Sequence, residues 1–173
     1  MKPLFILSPQ NYPLTNLTKC LREKQCYNIT IMKESFLDYS KPILSICMRC
    51  RDGRESEHND VRGGARLAEK IMMQVQTRFD ISFDLRGIAC MSQCKRPCIA
   101  AICSTGRFSY MFGDLDPENQ TNIDALLDFP SLYLKAPEGF LERKERPKPL
   151  QKSILARIPS PISSSTIVIP LNM

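Results

Sequence analysis

The feature that most restricts this chain is its crowding of cysteine: of eight among 173 residues, six fall between positions 47 and 103. They run as Cys47-x2-Cys50, then Cys90-x3-Cys94-x3-Cys98, then Cys103. Thiols at that density act either as disulfide staples in an oxidising compartment or as thiolate ligands in a reducing one. The N-terminal stretch that would have to serve as a secretion signal has an apolar run of only Leu4 to Leu7, set between prolines, which is too short for an h-region. Thiolate ligation in a cytoplasmic protein is therefore expected.

The segments around these cysteines imply a mixed α/β domain. Pro42-Ile43-Leu44-Ser45-Ile46 reads as a strand that runs straight into Cys47. After a polar loop, Gly63-Gly64 opens a helix over 65–79, in which Leu67, Ala68, Ile71, Met72, Val75 and Phe79 make one apolar stripe. Ile81, Phe83 and Leu85 alternate with polar residues in a strand that leads to Cys90. Two further strands, 99–103 and 107–112, flank Ser104-Thr105-Gly106 as a hairpin. A last helix is expected from Pro117, capped by Asp116, as far as Phe129. Strand, helix, strand, hairpin, helix is a thioredoxin-like α/β plan: a mixed sheet with a parallel pair, an antiparallel hairpin and flanking helices. Residues 43–142 form this domain. Residues 1–42 make a weakly structured N-terminal arm, with a short helix at 15–22 and a strand at 27–32 as its candidate elements. Residues 143–173, rich in Pro, Ser and basic side chains, make a loose tail.

Charge and hydropathy narrow the function classes. No apolar run approaches the roughly 18 residues of a membrane span. The net charge of +6 belongs to the two ends, because residues 47–142 carry 12 basic and 14 acidic side chains. A nucleic-acid partner is not favoured on that distribution, and a redox or metal-delivery protein is the expected partner class. There is no G-x-S-x-G or H-E-x-x-H, and His58 is the single histidine, so acid–base catalysis has little to stand on and a non-enzymatic role is preferred.

The cysteines carry the chemistry. Cys47-x2-Cys50 and Cys90-x3-Cys94 follow strands expected to be parallel neighbours, so both loops leave the same edge of the sheet and can bring two sulfurs each to one centre. Arg49, Arg51, Lys95 and Arg96 lie among them, supplying positive charge that lowers thiol pKa values. Cys98 is a possible fifth donor. Cys103, inside a strand, is read as core, and Cys20 and Cys26 as incidental. His58 is an outside candidate ligand. A 2Fe-2S cluster on Cys47, Cys50, Cys90 and Cys94 in a small electron carrier is the first expectation. A zinc- or other metal-binding adaptor or metallochaperone is the second. A thiol–disulfide oxidoreductase using Cys47 and Cys50 ranks behind both, because a dithiol of that type begins a helix, whereas here a polar loop intervenes before Gly63. Gly63-Gly64 lacks a fuller phosphate-binding pattern and is read as the start of the helix.

The segments Ile46-Cys47-Met48-Arg49-Cys50-Arg51, Gly87 to Cys98, and Tyr110-Met111-Phe112-Gly113-Asp114-Leu115 resemble those of the bacterial family of predicted metal-binding proteins known as domain of unknown function 1636. The likeness covers about residues 43–159. More distantly, Cys90, Cys94 and Pro97 are similar to the second ligand pair of the thioredoxin-like 2Fe-2S ferredoxins, whose first pair is more widely spaced than Cys47-x2-Cys50. The resemblance implies metal binding, leaves open a cluster or a single zinc ion, and adds cobalt to the candidate metals of the adaptor or metallochaperone.

Overall fold

The computed structural model of the chain describes residues 41–171. The arm elements expected at 15–22 and 27–32, and Cys20 and Cys26, lie outside the described residues. Strand β1 (Ile43–Cys47) is an interior strand; α1 (Gly63–Thr77) connects it to β2 (Asp84–Ile88), and β3 (Ala100–Cys103) and β4 (Ser109–Phe112) form the hairpin. After α2 (Gln120–Lys135) come a short helix α3 (Lys148–Ser153) and a fifth strand, β5 (Ile154–Ile158). The order across the sheet is β2-β1-β3-β4-β5, with β1 and β2 parallel and every other neighbouring pair antiparallel. The first four strands with their two helices realise the thioredoxin-like plan.

Register explains where the core sits. Leu44 lies opposite Ile102, which lies opposite Tyr110; Ile46 lies opposite Ala100, which lies opposite Phe112. Directly opposed residues share a face, so these two rows form one buried apolar surface. Leu67 and Ile71 of α1 and Ile123, Leu126, Phe129 and Tyr133 of α2 cover it. Phe129 meets Phe112 and Tyr110 edge-on at ring distances of 5.1 and 5.2 Å. The Tyr110 hydroxyl donates to Gly139 O at 3.1 Å and accepts from Leu141 N–H at 2.8 Å, which satisfies a buried phenol.

Several boundaries differ from the sequence reading. Helix α1 ends at Thr77 because Arg78 is extended, and Phe79, counted in the apolar stripe, is fully exposed. Helix α2 begins three residues beyond Pro117. Its cap is Asn119, whose side chain accepts from Thr121 N–H, and Asp116 Oδ1 accepts instead from Glu118 N–H in the preceding turn. The helix also continues through Pro130 to Lys135, past the expected end at Phe129. The largest difference is the segment from 143 to 158, expected to be part of a loose tail. It contributes α3 and the edge strand β5, paired with β4 from Ser109↔Ile158 to Phe112↔Ile154. Its prolines sit where they do no damage: Pro147 and Pro149 at the start of α3, and Pro159 directly after β5. No helix among the described residues is long and apolar enough to cross a membrane.

Candidate metal centre

The C-terminal edge of β1 is where the cysteines meet. Cys47 ends the strand with its N–H on Ile99 O at 3.0 Å, and Met48 N–H reaches Ile88 O at 2.8 Å. The segment from Ile88 to Ile99 thus leaves β2 on one side of β1 and returns on the other, crossing the strand's end. Both cysteine-bearing loops converge there, as the parallel β1–β2 pair requires.

The structure brings together Cys47, Cys50 and Cys98. All three are buried, and the Cys50 sulfur feels both other thiols and the Ile99 N–H. The Cys98 thiol, the Cys47 thiol and that amide hold the Cys50 thiol down to about 6 against the opposing effect of burial. Donation to Cys50, burial and the nearby Asp52 carboxylate push Cys98 up. Burial, chiefly, also raises Cys47, partly offset by the N–H groups of Arg49 and Met91 that point at its sulfur. The trio is therefore one thiolate braced by two thiols.

Helix α1 is packed against this trio through its first two residues. A Cβ on Gly64 would collide with Cys47 O and lie 3.1 Å from Cys50 N, and one on Gly63 would lie 2.9 Å from Cys98 Sγ and 2.6 Å from the Asp52 carboxyl carbon. Gly64 N–H donates to Cys50 O at 3.1 Å. The glycine pair, read from sequence only as a helix start, is a close-approach device that sets the positive end of α1 beside the Cys47–Cys50 turn. The polar loop before it folds back, so the helix does follow the cysteine pair in space.

That loop is tied down by ions. Arg66, with 7% of its side chain exposed, bonds Asp52 at 2.5 Å, Glu118 at 3.1 Å and Val61 O at 2.6 Å. The Asp52 side chain is 9% exposed and also pairs with Arg54, which reaches Asp116 at 2.5 Å. The guanidinium groups of Arg54 and Arg66, with the Arg54 N–H, hold the Asp52 carboxyl below its usual range despite burial. Arg66 gives no simple signal in the sequence, since it lies among apolar residues of an amphipathic helix.

Cys90 and Cys94 are exposed, and Ser92 N–H donates to Cys90 Sγ at 3.4 Å. The structure places them on the same loop as Cys98 without bringing their sulfurs into the trio. Cys103 is half-buried in β3. His58 lies in a short 3-10 helix, 3.9 Å from Glu118, and is no part of the thiol cluster. Among the described residues, no group of three or more Cys, His, Asp or Glu side chains is set to hold a metal ion as it stands. The three thiols act on one another through Cys50, so a bound ion would have to displace thiol protons and draw in a further donor.

Comparison with curated proteins returns no match. Among solved structures, a thioredoxin-like [2Fe-2S] ferredoxin from Aquifex aeolicus is similar over 68% of this chain and 92% of its own, at 15% identity and a TM-score of 0.43. The family model described as "Protein of unknown function (DUF1636)" matches residues 44–160, from β1 to just beyond β5. The chain belongs to the DUF1636 family.

Proposed function

We propose that this protein binds a thiophilic metal ion through Cys47, Cys50 and Cys98, with a fourth thiolate drawn from Cys90 or Cys94. The observation that carries this reading is the buried trio itself. A tetrahedral thiolate site needs four sulfurs at metal–sulfur bonds of about 2.3 Å, and three soft donors are gathered at the end of β1, from where they would have to rearrange onto a single ion such as zinc. The fourth position falls to the loop whose Met91 N–H points at the Cys47 sulfur. Arg66 and Asp52 would fix that surrounding from behind.

A second reading is a 2Fe-2S cluster on Cys47, Cys50, Cys90 and Cys94 in an electron carrier. It draws on the pairing of the four cysteines, two from each loop at one sheet edge, as two-iron ligation demands. Metal content and the optical spectrum of protein purified without oxygen separate the two. Stoichiometric metal in a colourless protein supports the single ion, and iron with visible charge-transfer bands supports the cluster. Absence of any stoichiometric metal, before and after loading with zinc, cobalt or iron and sulfide, overturns both. Titration with cadmium then counts the thiolates: Cys98→Ser lowers the ultraviolet charge-transfer absorbance per ion if Cys98 is a donor, and leaves it unchanged if the four-cysteine set without it is correct.

A further inference from the structure

At the β5 edge of the sheet, away from the cysteines, Arg146 is a buried cation without a counter-charge. It is 8% exposed, its Nε–H donates to Glu142 O at 3.3 Å, and its Nη1 has no hydrogen-bond partner. Arg157 of β5 stands beside it. Its Nη1 donates to Leu141 O at 3.2 Å, the carbonyl next to the one that Arg146 bonds, and its guanidinium lies 4.2 Å from the centroid of the Phe140 ring. Two guanidinium groups thus flank one stretch of backbone, residues 141–142, and the Tyr110 hydroxyl fixes that stretch by accepting from Leu141 N–H. Among the described residues no carboxylate lies within 4.0 Å of either guanidinium. The nearby acids are engaged elsewhere: Glu142 caps the turn 143–145 and pairs with Lys144 at 3.2 Å, Glu145 accepts from Glu142 N–H at 2.7 Å, and Glu138 accepts from Ser163 and Ser164. Burial, and then the charges of Arg157 and Arg143, hold the Arg146 guanidinium below its usual range. Residues 143–157 carry six basic side chains and one acidic.

We propose that Arg146 and Arg157 form a binding site for a phosphate dianion, free or as the end of a small phosphate monoester. A charge taken out of water is costly unless an opposite charge and hydrogen bonds replace the water, and Arg146 has neither at Nη1. The planar fork of a guanidinium matches the oxygens of phosphate or carboxylate. Two such groups on adjacent carbonyls call for two negative charges, which a phosphate dianion supplies and a single carboxylate does not. With only 8% of Arg146 exposed, a small terminal group reaches it and a broad acidic surface does not. The site shares no residue with the cysteine centre, so it stands independently of the metal-binding reading.

The test is isothermal titration of the full reduced chain with inorganic phosphate at neutral pH, with sodium chloride and sodium acetate of matched ionic strength as comparisons. Phosphate should bind saturably at one site, and acetate should not compete with it. Arg146→Met should weaken phosphate binding by about tenfold or more, the loss of a charge-assisted fork. Arg146→Lys keeps the charge and the stem but not the fork, so it should weaken binding too, and it serves if the methionine variant does not fold. Lys148→Ala with Lys152→Ala, both at exposed positions of the same basic segment, should change binding little. Melting temperatures of the phosphate-free variants verify the fold. Competition by glycerol phosphate extends the site to monoesters, and its absence confines the site to the free ion. No saturable binding of phosphate overturns the proposal, as does equal binding of acetate. So does unaltered binding in the Arg146 variants, or a loss confined to the variant at 148 and 152, which would mark a diffuse surface effect.

Discussion

Gly64→Ala probes the packing on which the candidate centre depends. In an ordinary helix this change is favourable by about 1 kcal/mol, because alanine loses less backbone entropy. Here the added methyl would collide with Cys47 O and stand 3.1 Å from both Cys47 C and Cys50 N. Those are backbone atoms, tied by Cys47 N–H to Ile99 O and by Gly64 N–H to Cys50 O, so no side-chain rotation relieves the contact. Overpacking of a rigid site costs about 1–3 kcal/mol or more, and movement of α1 would also strain the Gly64–Cys50 hydrogen bond, worth about 1 kcal/mol. The net expectation is a loss of about 2 kcal/mol in urea denaturation of the reduced protein, seen as a fall of roughly 8 °C in melting temperature. Alkylation of the trio, followed by mass spectrometry, should quicken in the same variant. Equal or greater stability in Gly64→Ala would refute the close approach, and with it the placing of α1 against the cysteine turn.

Arg66→Met should cost about 3 kcal/mol, at the low end for a broken buried pair because Arg54 also bonds Asp52; adding Asp52→Asn should restore part of that loss in the same denaturation assay. Tyr110→Phe should cost about 1–3 kcal/mol, since Gly139 O and Leu141 N–H lose their buried partner. The thiols make stability depend on pH in two directions. Cys50, held near 6, contributes stability that is full above the ordinary thiol value of about 8.5 and lost as pH falls through 6. Cys47 and Cys98, raised, contribute stability that is full below about 8.5 and lost as pH rises beyond it. The reduced, metal-free protein should therefore resist urea best near pH 8, and Cys50→Ser should flatten the acid limb; an unaltered acid limb in that variant would show that Cys50 does not carry the thiolate.

Much of the fold was legible because its periodicities are strong. Ile43 to Ile46 is a short apolar run, and Leu67, Ala68 and Ile71 repeat at helical spacing, so β1 and α1 were found where they occur. Phe79 continues the spacing numerically, but the repeat carries no information about Arg78 leaving the helix. Strand β5 was missed for a different reason. Ile154 to Ile158 is apolar enough to pair, but it is surrounded by Pro147, Pro149, Pro159 and Pro161, and composition averaged over the segment conceals that those prolines flank elements without interrupting them.

At the site, strand order puts both cysteine loops at one edge of the sheet and spacing favours Cys94 over Cys98 as a donor, whereas the buried trio at that edge contains Cys98. Spacing cannot say which residues of a loop turn inward. The signal for Cys98 was present in another form: it directly precedes the apolar run of β3, and in this topology β3 lies antiparallel to β1, so the start of β3 faces the end of β1. That end is Cys47. The glycine pair carried a similar message, since two adjacent glycines at a helix start permit the helix to touch a backbone and not only to begin. Gly64, Ile99 N–H, Asp52 and Arg66 then act on the same few atoms from different elements: the first sets the turn, the second bonds Cys50, and the last two border Cys98. A change in any of them should register on the same thiols, which makes alkylation of Cys47, Cys50 and Cys98 a common readout for the helix, the loop and the strand that enclose them.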